Sequence, residues 1–280
     1  MVKTSEEAPR KISKAVKKDT AKKKPKETLS TGEGESVVAV PVTSPESNTD
    51  VGEMTAAGLQ FGHKTSRVDP KMKVYLYGAR NGIHIFDLEK TKEKFDGALN
   101  FIRGLVSQGK IILFVGTKIQ TKNLIKQVAQ ECGLPYVSER WLGGTLTNID
   151  TILKRIAYFK DLEQKKSSGM TGKYTKKEQA NFDKELKEME TKFSGIKNMN
   201  QLPDAVFVAD IMKDSLAVKE ARSKNISVIG IADTNCNPDL INYPIPANDD
   251  SVSSVQYILE KVKEAILNAK LKTQSEKTIV

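Results

Sequence analysis

Two aspartates close apolar runs that read as buried strands: Asp210 follows Ala205-Val206-Phe207-Val208-Ala209, and Asp233 ends the run that opens at Ile226. At the carboxyl ends of parallel strands they share one sheet edge, where α/β proteins place their ligands. Together with His63, one of two histidines, they could serve as general acid and base on a phosphorylated metabolite or share a divalent metal. The plainer role is to order the following turns by accepting from backbone amides. Gly116-Thr117-Lys118 is a third turn between strand and helix, a position where helix N-terminal amides bind phosphate. The P-loop spacing and the Rossmann glycine fingerprint are both missing from it. Lys118 and Lys122 are instead expected to meet nucleic-acid phosphates or to be solvated. No Ser stands in a nucleophile elbow, and neither Cys132 nor Cys236 has a His nearby in sequence, so little supports an enzyme.

A denser chemistry lies in Gly62-His63-Lys64-Thr65-Ser66-Arg67 and Pro70-Lys71-Met72-Lys73, which carry little helix or strand pattern. Such basic loops reach phosphates, while Phe61, Tyr75 and Tyr77 beside them stack or pack. The bland alternative is an ordinary solvated loop. Forty-five Lys and Arg against 35 Asp and Glu give the 280-residue chain a net charge of +10, a balance that favours polyanionic partners. Residues 1–30 hold ten basic and four acidic residues, net +6, whereas residues 31–53 hold five acidic residues and no base. The two cysteines lack metal-ligand spacing and suit a reducing cytosol, and no apolar run is long enough to cross a bilayer. A cytoplasmic protein with no membrane partner is expected.

The elements that must hold these residues follow from periodicity. Residues 1–53 have few large apolar side chains and read as a disordered, charged extension. Val74–Tyr77 and Ile83–Phe86 are strand-like runs around Asn81-Gly82, a dipeptide suited to a tight hairpin turn. A helix from about Thr91 to Gln108 carries Phe95, Leu99, Ile102 and Val106 on one face. Ile111–Val115 reads as a strand covered on both faces, followed by a helix over about 121–132 and a short strand at Pro135-Tyr136-Val137. The alternation returns at Ala205–Ala209, a helix over 215–223, and the strand from Ile226, and a helix over about 251–270 closes the domain. Strands alternating with helices predict an α/β fold with a doubly wound parallel sheet.

Between the two groups, Ile152, Ile156 and Phe159, then Phe182, Leu186, Met189 and Phe193, recur at spacings of three and four on otherwise polar helices. Such stripes bury little except one another, so an inserted, projecting antiparallel helical hairpin of coiled-coil type is expected, joined through 167–172. The expected divisions are an extension over 1–53, an α/β domain in two parts over 54–147 and 196–270, the hairpin over 148–195, and a tail over 271–280.

Read in order, Phe61-Gly62-His63-Lys64-Thr65, Asp69-Pro70-Lys71-Met72-Lys73, Gly78-Ala79-Arg80-Asn81-Gly82-Ile83-His84-Ile85, Leu88-Glu89-Lys90-Thr91, Phe114-Val115-Gly116-Thr117-Lys118, Arg140-Trp141-Leu142-Gly143-Gly144-Thr145-Leu146-Thr147-Asn148, Leu202-Pro203-Asp204-Ala205 and Asp233-Thr234-Asn235 resemble the signatures of the bacterial-type ribosomal protein S2 family. The likeness covers roughly residues 54–270. It implies a flavodoxin-like sheet with an inserted helical hairpin, a structural and not catalytic role, and binding to 16S ribosomal RNA near the head–body junction of the small subunit. It also implies neighbouring small-subunit proteins as partners, contact with ribosomal protein S1 in translation initiation, and in some members a zinc ion, for which the matching positions are His63, Asp210 and Asp233. No cofactor is required on this reading. The RNA contacts expected are Lys64, Arg67, Lys71, Lys73, Arg80, Lys118, Arg140, Lys154 and Arg155. Lys154 and Arg155 face RNA or water, and Trp141 stacks on RNA or anchors the sheet to the hairpin. Two features depart from the family pattern: Asp69 stands where Asn is usual, and the basic extension is expected either to add phosphate contacts or to be a tolerated appendage.

Overall fold

The computed structural model describes residues 49–168 and 175–278. The extension over 1–48 and the turn expected around 169–172 therefore lie outside the described residues. Five parallel strands, β4 (Ile112–Val115), β5 (Tyr136–Val137), β6 (Ala205–Val208), β7 (Ser227–Ala232) and β8 (Tyr243–Pro246), form a sheet in the order β5-β4-β6-β7-β8. Numbered within the sheet this is 2-1-3-4-5, the flavodoxin-like order, so the expected fold class holds. Alternate residues divide between two faces. Ile112, Phe114, Phe207 and Ile229 pack under the helices α2 (Leu88–Ser107), α3 (Lys122–Cys132) and α7 (Val252–Thr278). Leu113, Val115, Val206 and Val228 face the other side, in one buried cluster with side chains of α4 (Ile149–Ser167), α5 (Lys176–Phe193) and α6 (Ser215–Ser223). Phe114 and Phe207, opposite each other in register, sit with ring centroids 5.3 Å apart.

A second sheet is antiparallel and small: β1 (Phe61–Lys64), β2 (Leu76–Arg80) and β3 (Ile83–Phe86), in the order β1-β3-β2. Asn81 and Gly82 turn the β2–β3 hairpin with φ of 52° and 75°, the positive values that a two-residue loop of type I′ demands. Two segments here differ from their expected form. Val74 and Tyr75 belong to a 3-10 turn over Pro70–Tyr75, and the supposed loop at Gly62–Lys64 is a strand. Nothing local marks β1; it is fixed by partners distant in sequence. His63 N donates to Thr234 Oγ1 at 3.0 Å, and a Cβ on Gly62 would lie 2.4 Å from Thr234 Cγ2. Asp69 caps the 3-10 turn by accepting from Lys71 N at 2.9 Å, a task that needs only one side-chain oxygen, which Asn also has.

Three further assignments change. A short helix α1 (Val51–Ala56) precedes β1, with Asp50 as N-cap, Met54 and Leu59 buried, and Thr49 donating to Asp96 at 2.8 Å, so residues 49–53 belong to the folded domain. Helix α7 continues through the supposed tail to Thr278, because its residues keep good helix propensity after the buried stripe ends at Ala269. Strand β8 was hidden by Pro244 and Pro246, which an edge strand tolerates because one side of its backbone has no ladder to complete. In α4 the stripe positions Ile152, Ile156 and Phe159 are buried together with Leu162, and in α5 Met189 and Phe193 are buried while Phe182 and Leu186 are half-buried. The two helices contact each other, as an inserted hairpin requires, and α5 continues into a 3-10 turn over Ser194–Ile196, while their buried side chains belong to one cluster with sheet residues such as Leu113 and Val206.

The segment after α5 leans on the edge strand through Gly195. A Cβ there would fall 2.1 Å from the Tyr136 carbonyl oxygen and 2.7 Å from its ring. Because the obstacle is backbone of β5, Gly195→Ala is expected to lower the unfolding free energy by about 1–3 kcal/mol, as overpacking does. Urea denaturation would check it, and a variant as stable as the parent would contradict the close approach.

Candidate nucleic-acid interface

The small antiparallel sheet gathers the basic residues that the sequence scattered through loops. Lys64 on β1 and Arg80 on β2 are both in register with Ile83 on the central strand, so they flank it in one rank. Both are exposed, as are Arg67 and Lys73 on the turns beside the sheet, and none of the four has an ion pair among the described residues. Lys71 differs: its ammonium is paired with Asp239, also exposed. Unneutralised cations on a fixed backbone are what phosphate binding needs. Tyr75 packs against the core cluster, whereas Tyr77 is 84% exposed and Phe61 48%.

Arg140, Lys154 and Arg155 are also exposed and without ion pairs among the described residues, but they stand on other elements: Arg140 before the Trp141–Thr147 loop and the other two on α4. One buried carboxylate shapes that loop. Glu220 of α6 accepts from Trp141 Nε1 (3.1 Å), Gly144 N (2.8 Å), Leu146 N (3.0 Å) and Thr147 N (3.3 Å). Burial pushes the Glu220 carboxyl up, but these donors outweigh it and hold it below the usual range. Trp141 is therefore an anchor, 7% exposed, and the stacking alternative falls away. Sequence reading missed Glu220 because a lone Glu on an amphipathic helix looks like any solvated charge.

The carboxyl edge of the parallel sheet is acidic, as expected, and fuller than expected. Asp210 follows β6, Asp233 follows β7, and Asp249 and Asp250 follow β8, the strand that the prolines concealed. Lys118 sits among them. Its ammonium lies 3.1 Å from Asp210, 2.9 Å from Asp249 and 2.6 Å from Asp250. The side chain is only 16% exposed and its donors are committed, so the expected RNA contact at Lys118 is corrected to an internal countercharge. Lys122 is likewise paired, with Glu139 at 3.2 Å. The Gly116-Thr117 turn offers phosphate nothing either. Asp214 Oδ2 accepts from Thr117 N at 3.2 Å, and Gly116 serves close packing, since a Cβ would meet Ile125 at 2.7 Å.

His63 Nδ1 lies 3.1 Å from Asp233 Oδ2, while its Nε2 faces Asp250 at 3.4 Å and Asn235 at 3.3 Å. His63 and Asp233 are thus brought together, but Asp210 joins them only through Lys118. Among the described residues no group of three or more His, Cys, Asp and Glu side chains is arranged to hold a metal ion. The His63, Asp210 and Asp233 set does not fit zinc in this arrangement, because an ammonium already occupies the cationic place.

One ammonium and one imidazole face four carboxylates, and the surplus negative charge draws protons. The hydrogen bond to Asp233 leads in raising His63, and burial followed by Asp210 and Asp233 pushes Asp249 up to about 7. The stabilisation from His63 is full below its unfolded value near 6.5 and is lost as pH rises through the higher folded value. Asp249 acts in the same direction, for its ionisation is free of cost only in the unfolded chain, so stability falls as pH climbs from about 4 to about 7. Asp249→Asn is expected to match the parent near pH 4 and to exceed it by on the order of 2 kcal/mol at pH 8. Denaturation at both pH values would check this, and a constant difference would sink it.

Comparison with known proteins agrees with the fold. The family described as ribosomal protein S2 matches residues 54–269. A protein of Coprothermobacter proteolyticus named small ribosomal subunit protein uS2 is 44% identical over 218 residues, 78% of this chain and 81% of its own length. One of the same name from Geotalea uraniireducens is 44% identical over 236 residues, 82% of this chain and 92% of its own. With the eight motif blocks inside the matched span, and a strand order that the family resemblance led one to expect, the chain belongs to the ribosomal protein S2 family.

Proposed function

We propose that this chain binds 16S ribosomal RNA near the head–body junction through its small basic sheet, and that ribosomal protein S1 docks beside it. Membership of the family makes it a structural constituent of the small ribosomal subunit and not an enzyme, with ribosomal RNA and subunit proteins as partners. The observation that carries the finer reading is the group of exposed cations without ion pairs among the described residues, Lys64, Arg67, Lys73 and Arg80, on one fixed sheet and its turns. Arg140, Lys154 and Arg155 extend the same charge on other elements, and Lys71 contributes once released from Asp239. No helix among the described residues is long and apolar enough to cross a membrane, and residence on cytoplasmic ribosomes follows from the proposed partners.

Sucrose-gradient sedimentation of lysate at moderate and high salt tests this reading. The parent chain is expected to co-migrate stoichiometrically with small subunits at both salts. A variant with Lys64, Arg67, Lys73 and Arg80 all changed to Gln is expected to leave the subunit at high salt, since each lost phosphate contact lowers affinity and salt slope together. A parent chain found only in the soluble fraction would refute ribosomal residence, and a quadruple variant that stays bound would refute this surface. Subunits stripped of the chain are expected to lose S1, and normal S1 occupancy would remove the docking role. A chain lacking residues 1–48 is expected to show a shallower salt dependence if the basic extension meets phosphate.

A further inference from the structure

The antiparallel sheet presents more than charge. Residues directly opposite in antiparallel strands project from the same face. Phe61, Ile85 and Gly78 form one rank across the three strands, and Lys64, Ile83 and Arg80 form the next. Ile83 and Ile85 lie two apart on β3, so both ranks share a face. Phe86 points the other way and is buried, which makes the shared face the outer one. On it Phe61 and Ile83 are 48% and 37% exposed, and Gly78 leaves bare backbone, for a Cβ there would meet nothing within 4 Å. Tyr77, at the irregular step in β2 between Leu76 and Gly78, is 84% exposed.

An aromatic beside an open glycine strip, with cations about 10 Å apart across the central strand, differs from what a duplex requires. Double-stranded RNA is held through sugars and phosphates along its grooves and has no base face to offer; unpaired bases stack on sheet aromatics while nearby cations hold their phosphates. We propose that the outer face of the β1-β3-β2 sheet is a stacking platform for an unpaired RNA segment, with a base on Phe61, a second base on Tyr77, and the flanking phosphates on Lys64 and Arg80. This rests on the reading that the basic sheet binds RNA, and adds the kind of RNA and how its bases are held.

The test uses the full chain and a short single-stranded RNA carrying 2-aminopurine, whose fluorescence falls on stacking, beside a duplex of the same length. The parent is expected to quench the single strand. Phe61→Leu with Tyr77→Ser, which keeps an apolar side chain at the half-buried site and alters one that packs on little, is expected to abolish quenching. It is also expected to weaken single-strand binding about tenfold or more while leaving the salt slope and the duplex affinity unchanged. Lys64→Gln with Arg80→Gln is expected to reduce the single-strand salt slope by about 1.4, two phosphates at 0.7 each. If the aromatic variant binds and quenches like the parent while the charge variant is weakened, stacking is refuted and the basic surface stands. If neither variant differs from the parent, the sheet is not an RNA surface and both readings fail. If the aromatic variant loses only its place on the subunit, with RNA binding intact, a protein neighbour occupies the face and stacking is refuted.

Discussion

Lys118→Met is expected to lower the unfolding free energy by about 3–5 kcal/mol at pH 8, the range for removing one partner from a buried ion pair. Methionine fills nearly the same volume, so the loss reports charge and not a cavity. In the parent the ammonium is held within 3.1 Å of three carboxylates, and their attraction overcomes the burial that would pull its proton off, so it stays charged through the physiological range. Without it, Asp210 and Asp249 are left buried and facing Asp233 with no fixed countercharge. Asp249, which already takes up a proton near neutrality, relieves the field by holding that proton to higher pH. The deficit is therefore expected to shrink markedly between pH 8 and pH 5, the opposite of what a packing defect would show. Denaturation across that interval decides: a deficit independent of pH would mean that Lys118 only fills space.

The parallel sheet was legible because its strands announce themselves. Ile111–Val115 and Ala205–Ala209 are unbroken apolar runs, which a strand covered on both faces requires. The helices between them were legible from stripes such as Phe95, Leu99, Ile102 and Val106, all of them buried. What stayed hidden was held by partners far away in sequence. Strand β1 has no alternation and exists because Thr234 and β3 receive it. Strand β8 carries two prolines and was hidden by its own composition. The stripe on α4 was legible as buried, and its partner α5 was legible from the second stripe, because the two recur at the same spacing and the helices contact each other.

The acidic edge shows the same limit. Asp210 and Asp233 were identified because each closes a visible strand, and Asp249 escaped with the strand it closes. Without Asp249 and Asp250 the surplus of negative charge was not apparent, and Lys118 looked free for phosphate. Basic residues were easy to count and hard to sort. Lys64 and Lys118 are alike in sequence, and only the fold shows that one is exposed without a countercharge among the described residues and the other enclosed by three.

Glu220→Ala is expected to be comparably costly, about 3–5 kcal/mol, and to have a signature of its own. The carboxylate is 6% exposed and is shared by the indole N–H of Trp141 and the backbone N–H groups of Gly144, Leu146 and Thr147. Removing it strands donors away from water, and each unsatisfied one costs about 1–3 kcal/mol unless the loop opens to solvent. Opening is the cheaper response, because that carboxylate is the acceptor shared by all of these loop donors. Trp141 is the one tryptophan in the chain, so its emission reports the change directly and is expected to shift to the red before global unfolding. Gln is not a substitute, since its amide directs N–H at N–H, and Glu220→Gln is expected to cost nearly as much. Acid mimics the variant: with the carboxyl held below its usual range, stability from Glu220 is present above the unfolded value near 4 and is lost as pH falls through the lower folded one. The parent is thus expected to show the red shift only at strongly acid pH and the variants at every pH. Emission unchanged in Glu220→Ala at neutral pH would show that packing, and not this carboxylate, holds the Trp141–Thr147 loop and the exposed Arg140 that precedes it.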